Sequence, residues 1–169
     1  IGLVGICVDL NHVNEALRDA ERAWAIFTER QDFEKCLRLN NDRAYIYTQL
    51  GNYHQALTLY QSALTTATAL GSAGQKYLGT LYTNLGFVYD ALGDLRHALA
   101  YHEQAYTFFE RVNEVRNMAV AETNMAMIAM TQGAYRRALH LLHRAARTYV
   151  AEQLDRDATE VNRLIADCY

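Results

Sequence analysis

His140 and His143 stand three residues apart in the stretch ALHLLHRAART, a spacing that puts both imidazoles on one side of a helix. Two imidazoles on one face could begin a metal site. Such sites need three or four ligands held by a second set of hydrogen bonds. His102 and Glu103 sit at no recognisable ligand spacing from them, so a solvated or core-edge histidine is the better reading of each. Gly71 and Gly74 lie between helices without the phosphate-cradling Gly-Lys-Ser/Thr pattern, and no serine or cysteine has a nucleophile motif around it. Cys7, Cys36 and Cys168 are few, odd in number and dispersed, which reads as reduced cytosolic thiols filling small apolar spaces. The residues predict no enzyme, metal or cofactor. One charged feature remains: Arg136, Arg137, His140, His143, Arg144 and Arg147 fall mostly on one helix face, either solvated or facing an acidic partner or RNA. RNA ranks behind, because so few cations make few phosphate contacts at physiological salt.

The helices that carry these residues follow from internal periodicity. The segment LGDLRHAL, around Gly93, returns as LGNYHQAL at 50–57, QGAYRRAL at 132–139 and LNHVNEAL at 10–17. The turn residues Asn11, Gly51, Gly93 and Gly133 are 40, 42 and 40 apart. Five residues after each comes alanine (Ala16, Ala56, Ala98, Ala138), and twelve after comes alanine again (Ala23, Ala63, Ala105, Ala145). Seven before stand Val4, Ala44, Gly86 and Ala126, and four before stand Cys7, Tyr47, Tyr89 and Ala129. One further period lands on Ala166 and Tyr169. Small residues on both sides of a glycine turn let two helices approach closely. The remaining apolar face of each hairpin is buried only by stacking on the next.

Composition agrees. The 169 residues contain no proline, 51% are hydrophobic, and net charge is −3, too mild to argue for nucleic acid or membrane as the general partner. No apolar run approaches the length that spans a bilayer. The expected architecture is all-α: a right-handed α-solenoid of antiparallel hairpins in a single array, 1–169. Its repeats fall at about 1–29, 33–69, 76–112 and 116–151, with the start of another at 158–169. The first hairpin is expected to turn at Asn11, with Val13, Ala16, Leu17, Ala20, Ala23 and Trp24 on one face of its second helix. Gly71–Gly74 is expected to be a loop holding the two-residue insertion. Arg43 stands where Leu85 and Met125 stand later, so that repeat should pack less well there unless Arg43 pairs with Asp42 or a neighbour. IGLVGICVDL lacks a basic leader and reads as a helix belonging to a longer chain. Val4, Cys7 and Val8 at one end, and Ile165 and Tyr169 at the other, then predict fraying or end-to-end self-association.

The stretch GTLYTNLGFVYDALGDLRHALAYHEQA (79–105) resembles a tetratricopeptide repeat: Tyr82, Leu85, Gly86, Tyr89, Ala98 and Ala105 match, and His102 replaces the usual aromatic. A 40–42-residue period is similar to the repeats of kinesin light chains and Pins-type polarity scaffolds. It is also similar to those of bacterial multidomain regulators, including signal-transduction ATPases and fusions to caspase-like peptidases. The resemblance implies a cytoplasmic protein-interaction scaffold, or a regulatory segment of such a multidomain protein, whose first helices line a concave groove. On the groove registers stand Asn41, Thr83 and Thr123; Tyr45, Phe87 and Met127; and Thr48, Asp90 and Met130. Tyr45, Phe87 and Met127 form an apolar stripe with polar neighbours, suited to a partner's helix or extended peptide, or to another domain of the parent protein. The carboxylate clamp of some family members is not implied. Lys35 and Lys76, the only lysines, miss the groove registers, and Arg38 with Asn41 is too little.

Overall fold

A computed structural model of the chain describes residues 2–169, with the side chains of 13 and 15–169. The eight described helices are α1 (Gly2–Glu29), α2 (Phe33–Gln49), α3 (Tyr53–Ala69), α4 (Ser72–Ala91), α5 (Leu95–Val112), α6 (Val115–Thr131), α7 (Tyr135–Ala151) and α8 (Asp155–Ala166). No strand occurs among the described residues. The fold is an all-α helical repeat. Contacts divide it into two units, 1–77 and 78–169, with α4 beginning in the first and continuing in the second.

The three turn glycines do what their registers require. Gly51, Gly93 and Gly133 have φ of +72°, +79° and +72°, where a side chain is strained. At Gly93 the closure is a Schellman motif: Gly93 N–H donates to Asp90 O at 2.8 Å and Asp94 N–H to Tyr89 O at 2.9 Å. Asp94 then caps α5, accepting from His97 N–H at 3.2 Å. The same closure ends α1, α5 and α7, but on Gln31, Asn113 and Gln153, with φ between 56° and 58°.

In unit 1, α2 and α3 pair through Leu37, Ala44, Ala56, Tyr60, Ala63 and Ala67, all essentially inaccessible. In unit 2, α4 packs on α5 through Leu81, Leu85, Ala98 and Ala105, extended by stacked rings of Tyr89 with Tyr101 (5.4 Å) and with His97 (5.0 Å). Helices α6, α7 and α8 close a further core around Ala126, Ala138, Leu142, Ala145 and Val161. Each large apolar side chain buried this way is worth roughly 1.5–3 kcal/mol.

Three expectations need correction. Helix α1 runs unbroken through Asn11, 28 residues long. Asparagine takes the left-handed turn conformation at a cost glycine does not incur, and helix wins there. With no folded-back first half to cover it, the expected face stays partly open: Leu17 is buried, but Ala16 and Trp24 are exposed. The side chains of Val4, Cys7 and Val8 lie outside the described residues. Second, Gly71–Gly74 is not a loop. The turn sits on Gly71 (φ +56°), α4 starts at Ser72, and a Cβ at Gly74 would collide with the Ala67 backbone. The insertion lengthens α4 to 20 residues. Third, α8 begins at Asp155, three residues early, with Asp155 and Asp157 in its first turn, where carboxylates favour the helix dipole. Its buried face is Ala158, Val161 and Leu164, whereas Ala166 is exposed and Tyr169, beyond the helix end, is 91% exposed.

Candidate functional site

Helical spacing sorts each first helix into a core face and an open face. On the core side of α4 stand Leu81, Leu85 and Val88; of α6, Ala119, Ala126 and Ala129. The residue six before the turn glycine points away. Phe87 on α4 and Met127 on α6 are 52% and 45% exposed in unit 2, and Tyr45 holds the same register on α2 of unit 1, 55% exposed. Large apolar side chains therefore recur in solvent at one register.

The polar positions beside them behave differently. Thr83 donates to Gly79 O at 3.0 Å and Thr123 to Ala119 O at 2.9 Å. Thr48 is buried, donates to Ala44 O at 2.9 Å and is hydrogen-bonded with Tyr60. A β-hydroxyl inside a helix reaches its own i−4 carbonyl, so these hydroxyls are engaged within their own helices. Asn41 is half-buried, with its amide donating to Asp42 at 3.3 Å. Asp90 is half-buried, and burial pushes its carboxyl up. Met130 packs against the α6–α7–α8 core.

The cationic residues of α7 also divide. Arg137 reaches Glu103 at 3.5 Å. The Arg144 guanidinium lies 2.7 Å from the Glu122 carboxylate, donates to the Tyr106 hydroxyl at 2.6 Å, and sits 5.5 Å from the centre of that ring. Glu122 is only 3% exposed; burial pushes its carboxyl up and Arg144 pulls it back. Arg136, His140, His143 and Arg147 are exposed. No cluster of three or more metal-ligating side chains occurs among the described residues.

His102 is not a solvated or edge histidine. It is 2% exposed, at the register filled by Tyr60 and Leu142 in the neighbouring hairpins. Gly86 makes its room: a Cβ there would stand 2.5 Å from His102 Cε1. Its Nδ1 is buried without a hydrogen-bond partner, and desolvation lowers the imidazole pKa to about 4. Glu122 and Tyr106, which share Arg144 as their partner, are what sequence reading missed. The available signal was the register eleven before the turn, which carries Asn40, Tyr82 and Glu122.

Residues 35–111 match the tetratricopeptide repeat family. The kinesin light chain-related protein 3 of Arabidopsis thaliana is 26% identical over 106 residues, 61% of this chain but only 16% of that protein. Among solved structures, BtubC (BKLC) of P. vanneervenii superposes with a TM-score of 0.74 at 21% identity, covering 93% of this chain and 64% of its own. A Rap protein complexed with Competence and Sporulation Factor gives 0.77 at 20% identity, covering 93% and 46%. A signal-transduction ATPase with a tetratricopeptide repeat sensor, from Pyrococcus horikoshii, gives 0.65 at 19%, covering 92% and 28%. Hairpins closed on glycines 42 and 40 residues apart, small residues at the helix crossings and the family match identify residues 35–111 as tetratricopeptide repeats, in a chain that shares the all-α repeat fold of these structures.

Proposed function

We propose that the chain is an interaction module without chemistry of its own, holding a helix or extended segment of a protein partner on the open faces of its first helices. Tetratricopeptide repeats serve generally in protein–protein interaction. The observation that carries the reading here is one register: Phe87 and Met127 in unit 2, and Tyr45 in unit 1, keep large apolar side chains in water. A partner's apolar anchors would recover that burial. With the threonine hydroxyls bonded to their own helices, Asp90 and backbone-independent apolar contact would set specificity more than a ladder of hydroxyl donors. Similarity to a Rap protein solved with Competence and Sporulation Factor, and to the repeat sensor of a signal-transduction ATPase, supports a regulatory setting for such binding.

The test is peptide display against the whole chain. Recovered segments should carry apolar residues at helical or alternate spacing. Their binding should fall on the order of tenfold or more in Phe87→Ser and Met127→Ser, with circular dichroism unchanged. Ligands indifferent to both substitutions would place recognition elsewhere and refute the reading.

A further inference from the structure

Helix α7 carries four arginines and two histidines and not one acidic residue. The exposed faces of tetratricopeptide hairpins need not look like this: α5 mixes Arg96, Glu103, Glu110 and Arg111. On α7, two of the arginines are neutralised from neighbouring helices, Arg137 by Glu103 and Arg144 by Glu122. The remaining Arg136, His140, His143 and Arg147 form no ion pair or hydrogen bond among the described residues, and all are exposed. Their spacings of 4, 3 and 4 lay them in one line down the helix. Three residues further the line ends in Val150, which is 66% exposed. Beside it is a shallow hollow lined by His143, Ala146, Arg147, Val150 and Ala151.

A line of one sign, on a chain whose net charge is −3, is a local reversal of the protein's own field. Its fixed charges are Arg136 and Arg147 at the two ends, with the imidazoles of His140 and His143 as hydrogen-bonding groups between them. No acidic side chain among the described residues pairs with Arg136 or Arg147, and carboxylates from outside would. The line runs from Arg136 to Arg147, about 16 Å of helix. Carboxylates at i, i+4, i+7 and i+11 of another helix repeat the same rise, with an aliphatic residue one turn on to enter the hollow at Val150. We propose that this face of α7 is a second docking surface, separate from the open faces of α4 and α6, and that its occupant is an acidic amphipathic helix of a partner protein. The charged line orients the incoming helix and sets its rate of approach, while Val150 and the hollow set how long it stays.

The experiment uses the whole chain and a fluorescein-labelled 18-residue peptide of glutamate and leucine, with glutamates at the four matching positions and leucines beyond them, read by anisotropy. Saturable binding is expected. It should weaken on the order of tenfold in Arg136→Glu/Arg147→Glu and with rising salt, and about threefold in Val150→Ser. Phe87→Ser should leave it unchanged, which separates this surface from the one proposed above. The neutral pair Arg136→Gln/Arg147→Gln, checked by circular dichroism, guards against a folding defect and should fall between wild type and the reversal. Absence of saturable binding, binding indifferent to the charge reversal, or tighter binding of an 18-nucleotide oligouridylate than of the peptide would each overturn the proposal, the last in favour of a nucleic-acid surface.

Discussion

The register eight residues before each turn glycine holds Arg43 in unit 1 but Leu85 and Met125 in unit 2. Leu85 is wholly enclosed and Met125 nearly so, adding apolar contact where two helices cross. Arg43 sits in the same kind of place and must bring its charge out. Its guanidinium reaches Glu21 on α1 at 2.9 Å, while its Nε stays buried without a partner. Three residues earlier, Asn40 is buried with its Oδ1 unpartnered. Unit 2 has polar intrusions too, and handles them otherwise. Glu122 is met by Arg144 from the surface. His102 receives no partner at its Nδ1 and is accommodated by Gly86. The lesson is that the repeat geometry tolerates a polar residue wherever a neighbouring helix can offer either an opposite charge or an absent side chain.

Ala98 is the sharpest place to break unit 2. It is fully enclosed at the α4–α5 crossing. Ala98→Glu forces a carboxylate into this fully enclosed crossing, which costs several kcal/mol. The expected outcome is loss of a cooperative melt and of amide protection over 81–109, read by hydrogen exchange. A melt within a few degrees of wild type would show that the crossing is looser than its burial implies.

Next in size is His102, and only in acid. Its folded pKa, about 4, lies below the ordinary imidazole value near 6.5, so between these values the unfolded chain binds the extra proton. Stability is therefore whole above about pH 6.5 and is lost as pH falls toward 4, by about 3 kcal/mol when the loss is complete. His102→Leu, which suits a register shared with Tyr60 and Leu142, should flatten the urea midpoint across that window. An unchanged acid slope would mean that other groups set it.

Arg144 comes third. Removing it leaves the Glu122 carboxylate buried and unpaired, and Arg144→Ala should cost about 2 kcal/mol in urea unfolding. Adding Glu122→Gln should return most of this, because no charge then needs a partner. If the double variant is no more stable than the single, the loss came from Arg144 packing on Tyr106.

The hairpins of unit 2 were legible in the sequence because glycine at the turn and alanine at the crossings are demanded by backbone geometry, and few other residues satisfy it. The end of α1 and the second set of turns were not. Asn11 shares glycine's tolerance of the left-handed region without requiring it, Asn113 uses that same tolerance, and Gln31 and Gln153 hold positive φ with no signal in their residue type. The apolar register of Tyr45, Phe87 and Met127 could be read from spacing. The capture of Thr48, Thr83 and Thr123 by their own helices, and the enclosure of His102, depended on which neighbour stood opposite.

Unit 1 can be sharpened toward unit 2 at Arg43. Arg43→Leu removes the unpartnered Nε and supplies the side chain that the equivalent register uses at Leu85. It strands only Glu21, whose carboxylate is largely in water. Exposed pairs contribute little, so the balance favours leucine. The expected gain is about 1 kcal/mol, with slower exchange over α2. A loss instead would show that the Arg43–Glu21 pair holds α1 against α2.

The smallest effect is expected where the two kinds of turn differ. Hairpin turns use glycine, but Gln153, which closes α7 before α8, holds φ of +56° with a full side chain. Its N–H donates to Val150 O at 3.1 Å, and the next N–H, of Leu154, to Tyr149 O at 2.8 Å, the same closure as at Gly93. Glutamine in this conformation carries roughly 1 kcal/mol of strain that glycine lacks. Glycine gives part of that back through the greater freedom of the unfolded chain. Gln153→Gly should therefore raise stability by about 0.5 kcal/mol, a shift of about 1–2 °C in the melting temperature of a chain this size. Gln153→Val should move it the other way, because a β-branched residue is strained further at positive φ. If both substitutions destabilise, the glutamine side chain itself holds the turn, and the closure of α7 differs from hairpin closure in kind as well as in residue.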